Sequence, residues 1–317
     1  MLRQLSAQIA AEQKANMTTA LADHDARNAA VLANIAKYWG ATIRTLTHLI
    51  VRCIEVVDGS IKDRSLDSVD QALLAQWTRA CQTSFAIVAL LRNGFADDAY
   101  TRWRTIHELN VVADFLKKHD AAVVDRFNAH LAVKNYRVSL EYNRCAQGLN
   151  YQPIEASETA SLKAAHDAAV AAHEGLNEGD WGWAPKKLLG LKTKDWVTFS
   201  HLEDAAGLGM WRAHFGMANH NVHAGPHGSY FRLSNPKRKG QPLGIPGASV
   251  FGLATPANCC AISLHQITLL LAAPRSASDR RDPANVAAAF ALRSLVDECV
   301  TELVKADHEV MSRDWTE

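Results

Sequence analysis

The stretch LLAQWTRACQTSFAIVALLRNGFADDAYTRWRTIHELNVVADFLKK, residues 73–118, decides the fold. Leu73, Trp77, Cys81, Phe85, Val88 and Leu91 recur at steps of three and four, which marks one apolar face of a helix. Asn93-Gly94 supplies the stop. A second helix is predicted from about Asp97 to Lys118, with Trp103, Ile106, Leu109 and Val112 turned inward. The short link Asn93–Ala96 makes the pair an antiparallel hairpin.

The same period extends outward. Val31, Ile35, Trp39, Ile43, Leu46, Ile50, Ile54 and Val57 line a long helix that is expected to stop at Asp58-Gly59. Residues 1–25 read as a separate helix of modest amphipathicity, an N-terminal extension. Further helices are predicted over about 120–147 and 157–176. Between 179 and 196, Trp181, Trp183, Pro185 and Trp196 mark an irregular loop. Ser200-His201-Leu202-Glu203 has capping-box spacing, so a helix should open there and run towards His223, where Gly225-Pro226 ends it. Residues 225–253 are rich in Gly and Pro and carry Lys237-Arg238-Lys239; they form the longest non-helical segment. Thr255-Pro256 and Asp282-Pro283 then start the last two helices, the second over about 284–312. Nothing alternates at period two. The expectation is an all-α protein, an antiparallel helical bundle with extra helices and one long Gly/Pro-rich loop, forming one domain over 1–317.

Bulk composition narrows the function classes. Apolar residues make up 48% of the 317, enough for a sizeable core without staples. With 34 Lys+Arg against 33 Asp+Glu, the net charge of +1 gives no whole-protein field for nucleic acid or anionic membrane. The six cysteines form no Cys-x-x-Cys pair and read as reduced thiols, and no signal peptide opens the chain, so a cytoplasmic protein is expected. The most apolar stretch, Ala254–Ala273, is interrupted by Asn258, Ser263, His265 and Gln266, which predicts a buried core helix instead of a membrane span. No Gly-rich phosphate loop and no nucleophile elbow is present, and no cofactor is expected.

The chemically loaded segment is Asn219-His220-Asn221-Val222-His223, running on to His227, with His214 upstream. It admits three readings. Neutral imidazoles bind zinc or iron, but no carboxylate or cysteine lies nearby to complete a site, so no metal is expected. A single histidine suits acid–base chemistry near neutrality. On a helix Gly216, Asn219 and His223 share a stripe, so Asn219 would orient His223. Arg212 lies about 16 Å away along the same stripe at 1.5 Å per residue, too far for one small site. The third reading is a set of histidines bonding carbonyls at a helix end. The second helix of the hairpin adds Arg102, Arg104, His107 and Glu108, with Arg92 at the turn. Arg104 and Glu108 are four apart and face each other, and arginines meeting a histidine suit a phosphodiester.

Arg92-Asn-Gly-Phe-Ala-Asp-Asp-Ala99 followed by Arg102-Trp-Arg-Thr-Ile-His-Glu108, together with Asn219–His223, resembles a bacterial domain family of unknown function. That family in turn is similar to the HEPN superfamily of helical proteins, common among bacterial toxins and phage-defence effectors, many of them metal-independent ribonucleases. The resemblance implies a HEPN-like core over about 65–275. It implies RNA as substrate, His223 as general acid/base, and an arginine stabilising the charged phosphate. It also implies a site completed in a homodimer. The superfamily signature has an arginine four to six residues before the histidine; Asn219 stands there in this sequence. The phosphate clamp therefore falls to Arg104 and Arg102, with Arg92, His107, His220 and His227 as substrate contacts. The competing expectations are a non-catalytic helical subunit that binds a nucleotide or a regulatory, antitoxin-like protein, and, as the weakest, a metal-dependent hydrolase or oxygenase built on His220, His223 and His227.

Overall fold

The computed structural model describes residues 2–62, 64–230, 232–234, 246–275 and 282–315. The Lys237-Arg238-Lys239 run lies outside the described residues. Among the described residues there are ten α-helices and no strand: α1 (Leu2–Ile61), α2 (Ser68–Arg92), α3 (Ala96–Lys118), α4 (Ala121–Leu149), α5 (Ala156–Ala172), α6 (Phe199–Ala206), α7 (Arg212–His220), α8 (Pro226–Tyr230), α9 (Ala254–Ala272) and α10 (Pro283–Ser312).

Three local expectations are corrected. The extension expected as a separate helix and the helix from Val31 are one continuous α1 from Leu2, because Asp25-Ala-Arg-Asn-Ala-Ala30 contains no breaker. Its residues 2–27 are all exposed, and its first buried side chain is Ile35. The helix expected from Ser200 to His223 is two helices. Gly207 takes φ 73° and closes α6 with bonds to Glu203 and Asp204 carbonyls, a left-handed position that glycine fills without strain. The cap of α6 is Thr198 with His201, not Ser200 with Glu203, which frees the Glu203 carboxylate for the interior. Finally, α9 starts at Ala254 and α8 occupies 226–230 inside the Gly/Pro-rich stretch.

The core is built around α9, which packs on α1, α2, α3 and α10. The most extensive helix pair is α2 with α3, the two helices of the quoted stretch. Four polar residues in the most apolar helix each lock a neighbour. Ser263 accepts a hydrogen bond from buried Trp103 Nε1 at 3.0 Å, and Thr268 accepts one from Trp77 Nε1 at 3.1 Å. His265 Nε2 donates to the Ala289 carbonyl at 3.3 Å, and Gln266 accepts from Asn110 at 2.8 Å. Each bond removes the cost of burying an unmatched polar group and fixes the register of one helix pair.

None of the six cysteines is paired. Burial pushes the thiols of Cys53, Cys81, Cys259, Cys260 and Cys299 up to about 12, so they stay protonated and inert. No helix among the described residues is long and apolar enough to cross a membrane.

The α2–α3 turn is clasped from outside. Gly94 takes φ 77°, and a Cβ there would lie 2.7 Å from the Ser249 amide nitrogen. Ser249 N donates to the Gly94 carbonyl at 3.0 Å. Asp97, buried in the first turn of α3, accepts from the Leu233 and Ser234 amides at 2.9 and 3.2 Å and from the Ser234 hydroxyl. Residues 233, 234 and 249, on either side of the undescribed residues 235–245, are thus pinned to the hairpin.

Candidate functional site

The stripe Asp97, Thr101, Arg104, Glu108 runs along one edge of α3 at steps of four, three and four. Asp97 anchors the 232–234 segment. Two turns later, Arg104 meets α7, which α3 supports along its length. Arg104 Nη2 lies 2.9 Å from Glu108 Oε1, and Nε donates to Asn219 Oδ1. The guanidinium also lies over the Phe215 ring, 4.8 Å from its centroid. Two side chains from α3 and one from α7 therefore converge, although 115 residues separate Arg104 from Asn219. Burial raises the Glu108 carboxyl, and Arg104 and Arg79 act against that rise.

The other expected site residues sit around this centre in different ways. His223 lies three residues beyond the end of α7, exposed; its amide donates to the Asn219 carbonyl at 3.2 Å. Among the described residues its side chain makes no contact with Arg104 or Glu108. His220 and His227 stack, with ring centroids 4.0 Å apart. His220 and His223 both line a surface cleft together with Asn221, Ser229, Arg232 and Asp98. Arg102 is exposed, two residues and so about 200° around α3 from Arg104. Arg92 faces α1, where it donates to Thr47 Oγ1 at 3.3 Å. Among the described residues no group of three or more His, Cys, Asp or Glu side chains has a metal-holding arrangement.

His107, expected to contact substrate, is fully buried. Its Nε2 lies 2.8 Å from Glu203 Oε1. A carboxylate only accepts, so Nε2 carries the proton and Nδ1 is a bare lone pair, without a donor among the described residues. Trp103, Phe199 and Phe215 surround the ring. Burial lowers the His107 pKa against the opposing pull of Glu203, so the imidazole is neutral at neutral pH. Glu203 Oε2 in turn accepts from Arg212 Nε at 2.8 Å. This His107–Glu203–Arg212 chain ties α3, α6 and the start of α7 together and sets the height at which Asn219 meets Arg104. No sequence signal joins His107 to Glu203, 96 residues apart. Arg212, which sequence spacing places on the Asn219 stripe, is spent here and on Asp204.

On the far side of Glu108 is a second cleft, between α2, α3, α4 and the tryptophan loop. Arg79, Glu108, Phe127, Asp180, Trp181 and Trp183 are among its walls. These two tryptophans of the irregular loop differ in burial. Trp183 is buried against Phe115 and Phe127, while Trp181 is only half-buried.

Among the described residues the chain is thus all-helical, with a part-exposed arginine–carboxylate–amide cluster beside a histidine-lined cleft. Residues 70–241, more than half of the chain, match DUF5677, a family of unknown function, and the chain belongs to that family. The matched segment holds both clefts and the Arg104–Glu108–Asn219 cluster. No curated protein and no solved structure matches the chain.

Proposed function

We propose that the protein is a HEPN-like, metal-independent endoribonuclease of toxin or phage-defence type that works as a homodimer on RNA. The observation that carries this is the meeting of Arg104 and Glu108 with Asn219, one helical turn before His223. Glu108 and Asn219 hold the guanidinium in a fixed pose over Phe215, and a fixed fork of N–H donors suits a phosphate oxygen. His220 and His223 share one cleft, so an acid and a base are both at hand. One imidazole takes the ribose 2′-hydroxyl proton, and the 2′-oxygen attacks phosphorus. The bond from phosphorus to the 5′-oxygen breaks, and the other imidazole protonates that oxygen. The products are a 2′,3′-cyclic phosphate and a 5′-hydroxyl end.

The test is cleavage of total RNA in excess chelator by wild type, His223→Ala and Arg104→Ala. His223→Ala should slow cleavage by about 10²-fold or more, the usual weight of one proton-transfer group. Intact RNA with the wild type, or equal cutting by the variants, sinks the ribonuclease reading.

One observation favours a second reading, a non-catalytic subunit that binds a nucleotide or an antitoxin-like protein. Arg104 already spends its charge on Glu108, and no side chain among the described residues orients His223. In that case RNA or nucleotide is retained and never cut.

A further inference from the structure

We infer that the cleft behind Glu108 is a single-nucleotide pocket, with Trp181 as its stacking wall and Arg79 as its phosphate contact. Four titratable side chains line the cleft: Arg79, Glu108, His130 and Asp180. Glu108 is paired with Arg104, and Asp180 with Lys134. His130 Nε2 donates to the Asn177 carbonyl at 3.0 Å, and burial lowers its pKa, so it is neutral. Arg79 is exposed and has no ion pair among the described residues. Arg79 is the one cation among the described lining residues and, although its field reaches Glu108, its guanidinium has no ion pair there, so an anionic group of a ligand would meet it.

The walls supply the rest of the chemistry. Trp181 and Phe127, both part-buried, offer apolar faces, and Gln76 and Thr105 offer both donors and acceptors. A planar ring with polar edges and an attached anion matches this set, and a nucleotide is such a molecule. Aromatic stacking with edge hydrogen bonds is how single-stranded bases are held. The cavity, ≈ 230 Å³, falls below the usual range for a drug-sized ligand, so it would take the base while the phosphate stays at the exposed Arg79. Glu108 is shared between this cleft and the Arg104–Asn219 cluster, so a base seated here lies next to the proposed phosphate clamp. The ligand is then either one nucleotide of an RNA strand, which rests on the ribonuclease reading, or a free nucleotide, which does not.

The experiment is calorimetric titration of the full chain with AMP, adenosine, ribose 5-phosphate and a 2′-O-methyl adenylate trinucleotide that cannot be cleaved. AMP should bind more tightly than either fragment. Arg79→Ala, on an exposed position that should not disturb folding, should weaken AMP roughly tenfold and leave adenosine unchanged. Trp181→Ala should weaken AMP and adenosine alike. Displacement of AMP by the trinucleotide supports the pocket and marks it as an RNA subsite; AMP binding that the trinucleotide does not displace supports the pocket for a free nucleotide. AMP binding no tighter than ribose 5-phosphate, or AMP affinity unchanged in Arg79→Ala, overturns the pocket. RNA cleavage by His223 would survive that result, and the pocket would survive a failure to cleave RNA.

Discussion

Replacing Glu203 by leucine while His107 is intact should destabilise the protein by about 2–3 kcal/mol. The Nε2–H of His107 would lose its acceptor, and that group is 0% exposed. A buried donor left unmatched costs about 1–3 kcal/mol. Arg212 adds little, because its side chain is 48% exposed and water replaces the lost partner. His107→Phe fits the Trp103–Phe199–Phe215 box but strips Glu203 Oε1 of its donor, at a similar cost of about 1–3 kcal/mol. The double variant His107→Phe/Glu203→Leu removes both unmatched groups and should cost less than about 1 kcal/mol. The cycle therefore carries a coupling of about 3 kcal/mol. Urea unfolding followed by circular dichroism measures it, provided the slope is unchanged among the four proteins. Additive losses would refute the account of a buried, mutually dependent pair and with it the positioning of α7 by α6.

Acidification should weaken the fold through His107, His130 and His265, whose pKa values burial lowers from the ordinary 6.5. The folded form then binds fewer protons than the unfolded chain, so stability is full above pH 6.5 and declines below it, by up to about 1.4 kcal/mol per group per pH unit. Burial raises Glu108, Asp114 and Asp307, which adds stability as they take up protons at lower pH, so the urea midpoint should be compared between pH 7.5 and about 5.5. A flat or rising midpoint on acidification contradicts the assignment. Gly94→Ala should cost at least about 2 kcal/mol, from a left-handed backbone and a collision with Ser249; thermal melting with no loss would remove the clasp argument. Deleting residues 2–27, all exposed although His24 and Arg27 line a cavity with Pro246, Gly247 and Ala248, should leave stability within about 0.5 kcal/mol; a larger drop in the urea midpoint would mean that this part of α1 is held.

The helical hairpin of residues 73–118 was legible because its two faces differ in polarity at a period of 3.6, and that difference is local. The same holds for Arg104 opposite Glu108, one turn apart on a single helix. The α6–α7 break was misread. Ser200-x-x-Glu203 satisfies the spacing rule for a cap, but burial beside His107 offered the carboxylate a partner that spacing along the chain does not reveal. The polar interruptions of 254–273 were read correctly as marks of a core helix, yet their partners, Trp77, Trp103, Asn110 and the Ala289 carbonyl, come from three other helices.

Sequence alone thus determined the helical class, the hairpin and the residue types able to handle a phosphate. Tertiary structure decided which of them meet. Asn219 reaches Arg104, Arg92 turns to α1, His107 goes to the interior, and two tryptophans open a cleft behind Glu108. The physical reason is that hydrophobic periodicity reports only which face is buried, whereas a site depends on how far around and along its helix each buried face has been set by the packing of others.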